Sequence, residues 1–299
     1  MISFEPKDLS TAKLHGYLLS AVAPRPIAFA STIDADGNPN LSPFSFFNVF
    51  SANPPILIFS PARRVRDNTT KHTLENVEAV KEVVINTVNY AIVQQMSLSS
   101  TEYPVGVNEF DKAGLTMLQS DLVKPFRVAE SPIQLECKVN KIINLGTEGG
   151  AGNLVICEVL KLHILESVID KEGRIDQEQL DLVARAGGSY YSRAKDGFFE
   201  IPKPLTTLGI GVDKLPESVR KSSILTGNDL GILGNLAAFP SDSEIEEFLQ
   251  TSEEFSNVSQ ADFAIDIIHK RAKSLIENKE AETALLLLMA KEKLNKINT

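Results

Sequence analysis

Between Arg63 and Thr73 the chain places Arg63, Arg64, Arg66 and Lys71 within nine positions, with Asp67 the one acid among them and three threonines interleaved. Guanidinium and ammonium groups make charge-assisted hydrogen bonds to phosphate, and hydroxyls fill its remaining acceptor positions. Upstream, residues 24–48 form an apolar stretch carrying Ser31, Thr32, Ser42 and Ser45. An apolar, hydroxyl-bearing hairpin followed by a basic loop suits a flat ligand with apolar rings and a phosphate tail. A second reading stays open, because a charge run after a strand also serves as a solvated turn.

The local cluster stands against an acidic chain. There are 39 acidic and 30 basic residues, a net charge of -9. That balance argues against nucleic acid, whose binding rests on broad phosphate neutralisation. The 299 residues suggest about two domains, and 43% apolar content supplies ample core. No run approaches the roughly 18 apolar residues of a spanning helix, and Met1–Pro6 has no secretory pattern. Cys137 and Cys157 lack CxxC spacing and read as buried small apolar residues on adjacent strands of a reduced, cytoplasmic chain. His15, His72, His163 and His269 are scattered without HExxH spacing, so no metal is expected, and no GxSxG elbow offers a nucleophile.

The elements that must position these groups are mostly strands over the first two hundred residues. Ile27–Ile33, the turn Asp34–Gly37 and a following strand make a hairpin. Ile56–Phe59 and Val83–Val88 read as further strands, and Thr73–Val80 and Tyr90–Ser97 as short helices. Ile133–Leu145 and Leu154–Ile164 make a long hairpin around Gly149–Asn153, whose glycines lack GxGxxG spacing. Many short strands with tight turns predict a β-barrel or sandwich. Ile201–Leu205, with two prolines, marks a boundary between domains at 1–205 and 206–299. Beyond it lie helices: one capped by Ser241 with Glu244, an amphipathic one over Gln260–Glu277 (Phe263, Ile267, Leu275), and Glu280–Lys296 with Leu285–Leu288 at its centre. Gly227–Asn235 reads as a glycine-rich lid, linker or surface loop.

The order of the motifs resembles the flavin reductase-like, FMN-binding split-barrel family over about residues 10–205. The resembling stretches are Pro24–Thr32, Asp34–Gly37, Asn40–Asn48, Pro54–Pro55, Lys71–Asn76, Asn108–Thr116 and Ala186–Tyr191. The resemblance implies a mainly β fold, a six-stranded Greek-key split barrel with short crossing helices, dimerising with FMN near the subunit interface. The C-terminal helical extension lies outside it. It also implies the residues that face the cofactor. Ser45, Phe46 and Asn48 match a strand along the isoalloxazine ring, and Ser31 and Thr32 a strand end near the ring or ribityl chain. Ser60, Arg64, Lys71 and Thr73 match the phosphate end, and Gly188 and Tyr191 a late segment that closes over the site. One departure is His72, where relatives often carry Asp.

Each residue keeps a plainer reading. Phe46 and Phe47 sit on one strand, one inward and one outward, and either also serves as core. Asn48 donates to a ring oxygen or caps a turn. Arg25 reaches phosphate, a neighbouring subunit or a surface carboxylate. Tyr190 and Tyr191 cover a ring or pack an interface. A flavin does the chemistry itself, so no catalytic residue is named. The leading expectation is an oxidoreductase taking hydride from NADH or NADPH to FMN, with a partner oxygenase or redox protein. An electron carrier of the flavoredoxin kind, or a flavin or haem-related binding module, stands beside it.

Overall fold

A single antiparallel sheet organises the first two hundred residues of the computed structural model, which describes residues 1–201, 208–252 and 265–297. The strands are β1 (Ala28–Ile33), β2 (Pro39–Phe44), β3 (Phe47–Ala52), β4 (Pro55–Phe59), β5 (Glu82–Asn86), β6 (Met117–Leu118), β7 (Arg127–Val128), β8 (Ile133–Asn144), β9 (Asn153–Ile164), β10 (Val183–Arg185) and β11 (Tyr191–Arg193). Seven of them form the sheet in the order β2-β1-β5-β8-β9-β4-β3, one strand more than the resemblance implies. Interspersed are α1 (Thr11–Ala21), α2 (His72–Ala79), α3 (Val93–Ser99), α4 (Glu109–Ala113) and α5 (Gln177–Leu180). The sequence reading did not foresee α1, although Ser10 caps it by accepting from the Lys13 amide.

The topology forces the sheet to curl. Its two edges, β2 and β3, are consecutive in the chain, and Phe44 and Phe47 are three residues apart. That separation spans about 11 Å at most, whereas six flat inter-strand gaps would span about 29 Å. The corner is the bend at Ser45–Phe46, so Phe46 is not on a strand with Asn48 as expected. Phe47 packs against the core and Phe46 is 38% exposed.

The first hairpin follows from its turn chemistry. Asp34 Oδ1 accepts from the amides of Asp36 and Asn38, and Gly37 takes φ +90°. β1 is buried along all six residues, because apolar clusters lie on both of its faces. Ala28 and Ala30 join Phe44, Phe59, Leu74 and Val77 on the side covered by α2. Phe29 joins Leu41, Met96 and Phe110 on the side covered by α3 and α4. Cys137 and Cys157 are free, fully buried thiols on β8 and β9. Burial pushes the Cys137 thiol up to about 12, helped by the neighbouring Glu136 charge, which leaves it inert as a nucleophile.

Two compact units divide the chain, Met1–Phe199 and Glu200–Thr299. Pro202–Leu205, most of the expected boundary motif, lies outside the described residues. The second unit is helical. Gly227–Asn235 is no loop: Gly227–Gly234 is an α-helix, started by a reciprocal cap between Thr226 and Asp229 and anchored by the buried Leu233. Gly234 is needed for close approach, since a Cβ there would lie 2.9 Å from Val212 N. Ser241 and Glu244 make the expected capping box for Asp242–Thr251. In Ile265–Glu277 the inward face runs through Ile268, Ala272 and Leu275, whereas Ile267 is 56% exposed, so the apolar face is turned from the one expected; Phe263 lies outside the described residues. Leu285, Leu287 and Leu288 in Ala281–Ile297 are core of this unit. Among the described residues no helix is long and apolar enough to cross a membrane.

Candidate functional site

Two neighbouring hollows lie on the first unit. The first is small, about 20 Å³, enough for roughly one water molecule. Arg64, Lys71, Thr73, Ser42 and the segment Ser99–Tyr103 line it. It lies at the start of α2, where Lys71 is the N-cap residue and supplies no side-chain acceptor. A helix start directs free amides and the positive end of its dipole outward, which favours an anion. Lys71 is half-buried, and among the described residues no carboxylate lies within ion-pair reach of its ammonium. Burial holds its pKa below the ordinary value of 10.5, and the Arg64 charge lowers it further. Arg64 is held by Glu102 (Nε to Oε1, 3.0 Å), by Thr69 Oγ1 at 2.8 Å and by the Thr70 carbonyl.

Behind this hollow runs a buried polar network. Thr73 Oγ1 donates to Asn40 Oδ1 at 2.9 Å, and Asn40 Nδ2 donates to Glu109 Oε1 at 2.9 Å. Glu109 Oε2 accepts from the Leu41 amide at 3.0 Å, which fixes the carboxylate against β2. Burial raises the Glu109 pKa above its ordinary value, against the pull of these donors and of His72. The network closes through Thr32, which accepts from Asn76 Nδ2 at 3.1 Å.

The second hollow, about 170 Å³, shares Ser100 with the first. Ile27, Pro43, Ser45, Met96, Arg185 and Tyr191 line it. The hairpin β10–β11 reaches this place because Arg25 and Arg185 exchange backbone hydrogen bonds of 2.9 and 2.8 Å. Gly188 turns that hairpin at φ +59°, and its carbonyl accepts from Arg185 Nη2 at 2.6 Å. The Arg185 guanidinium lies 4.5 Å over the Tyr191 ring. Arg25 is neither a phosphate ligand nor a surface ion-pair partner. It is 6% exposed, donates to the carbonyls of Leu19, Val22 and Ala186, and reaches Ser45 Oγ at 3.4 Å. Burial and then the Arg185 charge lower its pKa.

The structure thus gathers Arg64, Lys71 and Thr73 in one hollow, and Ser45 and Tyr191 in the next, with Gly188 behind Arg185. The other expected residues line neither. Ser31 and Thr32 are fully buried in β1; the Ser31 hydroxyl has no hydrogen-bond partner and the Thr32 hydroxyl serves the network. Phe46 meets His15 edge-on at 6.3 Å. Asn48 is exposed, and its side chain accepts from the Val49 amide at 2.8 Å. Ser60 is 8% exposed and accepts from the Asn153 amide at 3.0 Å, so it fixes the β8–β9 hairpin instead. Tyr190 is 78% exposed, away from the hollow that Tyr191 lines. Residues unforeseen at the site are Ser99–Tyr103 and Arg185. Hydroxyls repeated over Ser97–Thr101, beside an expected helix end, are the signal that was there to find.

One other polar group is assembled by the sheet. Asp121, Glu136 and His163 lie together although no spacing suggested it. The Glu136 carboxylate accepts from the amides of Asp121, Leu122 and Val123 and meets His163 Nε2 at 2.6 Å, while Lys161 pairs with Asp121 at 2.5 Å. Those donors staple residues 121–123 to β8 and β9.

Residues 20–183 match the flavin reductase like domain. An uncharacterized protein of Aquifex aeolicus is 36% identical over 193 residues, covering 64% of this chain and 96% of its own. The crystal structure of nitrilotriacetate monooxygenase component B from Bacillus cereus superposes with a TM-score of 0.63 at 28% identity, over 67% of this chain and 98% of that one. Pseudomonas fluorescens 2-nitrobenzoate 2-nitroreductase gives 0.61 at 25% identity, over 70% and 100%. The match takes in the whole lining of the first hollow and all of the second but Arg185 and Tyr191, and the chain belongs to the flavin reductase-like family.

Proposed function

We propose that the paired hollows hold FMN, its phosphate toward Arg64, Lys71 and Thr73 and its ring toward Ser45 and Tyr191, in a reductase whose hydride donor is NADH or NADPH. The observation that carries this reading is that the hollow lined by Arg64 and Lys71 at a helix start shares Ser100 with a larger one lined by Ser45 and Tyr191. The residues present fit the group. Lys71 is half-buried, with no carboxylate in ion-pair reach among the described residues and only the more distant Glu102 charge acting on it, and a phosphate would relieve that burial. Pro43 offers apolar surface, and Tyr191 a ring held under the Arg185 guanidinium, to a flat heterocycle.

The flavin, when bound, supplies two-electron redox chemistry of its own. What the chain does is hold and orient. Arg64 and Lys71 fix one end by charge, while the buried Thr73 spends its hydroxyl proton on Asn40 and ties the start of α2 to β2 beside them. Arg25 clamps the end of α1 to Ala186 and Ser45, which sets the rim of the second hollow. The Arg185 and Arg25 charges favour negative charge at that rim. On this reading the curled sheet is a split barrel, two copies pair as a homodimer in the cytoplasm, and residues 206–299 are an extension that reinforces the pair. The name of the Bacillus cereus relative supports a partner oxygenase as the consumer of reduced flavin.

The test is anaerobic: the visible absorbance of FMN-loaded protein is followed while NADH, then NADPH, is added. Rapid bleaching is expected with one or both. A spectrum that stays oxidised with both donors and bleaches with dithionite would assign an electron carrier instead.

A further inference from the structure

Glu102 projects from the segment after α3 into the middle of the cations. Its Oε1 accepts from Arg64 Nε at 3.0 Å and its Oε2 from Arg66 Nη2 at 2.9 Å. It lines the same small hollow as Lys71 and Thr73, and its charge also acts on the Lys71 ammonium. A carboxylate offers two oxygens to guanidinium donors much as two oxygens of a phosphate do. The hollow as it stands has room for about one water.

We propose that Glu102 is a resident anion that a phosphate-bearing ligand displaces, so that it sets how strongly the site prefers a phosphorylated flavin over an unphosphorylated one. The inference rests on the flavin reading above. Three features make the exchange feasible. The Glu102 side chain is 45% exposed, so it turns into solvent without opening the core, whereas that of Arg64 is 19% exposed and stays. Arg64 keeps its bonds to Thr69 and Thr70 once Glu102 leaves. Arg66 keeps Asp67, at 3.1 Å. The other acid of the hollow, Glu109, is tied to the Leu41 amide and Asn40 and is not exchangeable. A ligand lacking phosphate has no need to break the Glu102 pairs.

The experiment compares Kd values for FMN and riboflavin, by quenching of flavin fluorescence, in the wild type, Glu102→Gln and Glu102→Ala. Inorganic phosphate serves as a competitor. Both variants are expected to bind FMN about fivefold tighter, the scale of a partly exposed ion pair, with riboflavin unchanged. The inhibition constant of phosphate against FMN should tighten by a similar factor in both. If Glu102 instead orients Arg64, both variants bind FMN more weakly, and the proposal is overturned; unchanged FMN affinity overturns it equally. If the wild type itself binds FMN no tighter than riboflavin and phosphate does not compete, the phosphate end of the flavin reading fails first, and this inference with it.

Discussion

The two hollows differ in how the chain builds them. The first draws its cations, Arg64 and Lys71, from one short stretch, while Asn40, Ser42, Ser99–Tyr103 and Glu109 complete its lining. The second brings Ile27, Pro43 and Ser45 together with Met96 and with Arg185 and Tyr191 from far along the sequence. The charges of the first hollow are thus fixed by one loop and one helix start. A site made from four distant segments depends on the register of the sheet and on the Arg25–Arg185 bridge. On the proposed reading the first sets which tail a ligand must carry, and the second the shape of the ring it accepts.

The sharpest way to break this division is at Lys71. Lys71→Ala should weaken FMN by about tenfold to a hundredfold, the worth of a charged hydrogen bond, and leave riboflavin unchanged when both are titrated by fluorescence. Equal weakening of the two would remove Lys71 from the phosphate end. At the other hollow, Tyr191→Ala should weaken FMN and riboflavin alike, by about fivefold, since a ring contact is lost and no charge is. A selective loss of FMN there would mean that Tyr191 does not face the ring.

The smallest effect is in pH. Burial and Arg64 hold the Lys71 pKa below 10.5 in the free chain. A bound phosphate favours the ammonium and raises that pKa, so FMN binding takes up protons in the alkaline window between the two values. FMN affinity should be constant near neutrality and fall as pH rises through the lowered free value, with riboflavin flat over the same range. Isothermal titration in buffers of different ionisation enthalpy, at the alkaline end, reads the proton uptake directly.

The same contrast explains what the sequence revealed. Arg64, Lys71 and Thr73 were legible because charge and hydroxyls stand together in an acidic chain. Arg185 was not, because nothing local distinguishes it; only the hairpin β10–β11, laid beside Arg25, brings it to the rim. Ser31 and Thr32 were expected near the ligand from the resemblance alone; β1 is covered on both faces, so in this structure neither hydroxyl lines a hollow. Phe46 misled because a curled sheet must turn a corner, and the chain turns it at Ser45–Phe46. In the second unit, helical spacing was read correctly as helix, but its inward face was placed one residue off at Ile267. The glycines of Gly227–Gly234 hid a helix that a Thr226–Asp229 cap and Leu233 support.

The division between a charge-reading end and a shape-reading end is tested most directly by titrating the unaltered protein with riboflavin and FMN side by side, with and without inorganic phosphate. The account predicts FMN binding at least about tenfold tighter, as one charged hydrogen bond gives, and an advantage that phosphate erodes. Equal affinities, indifferent to phosphate, would contradict it.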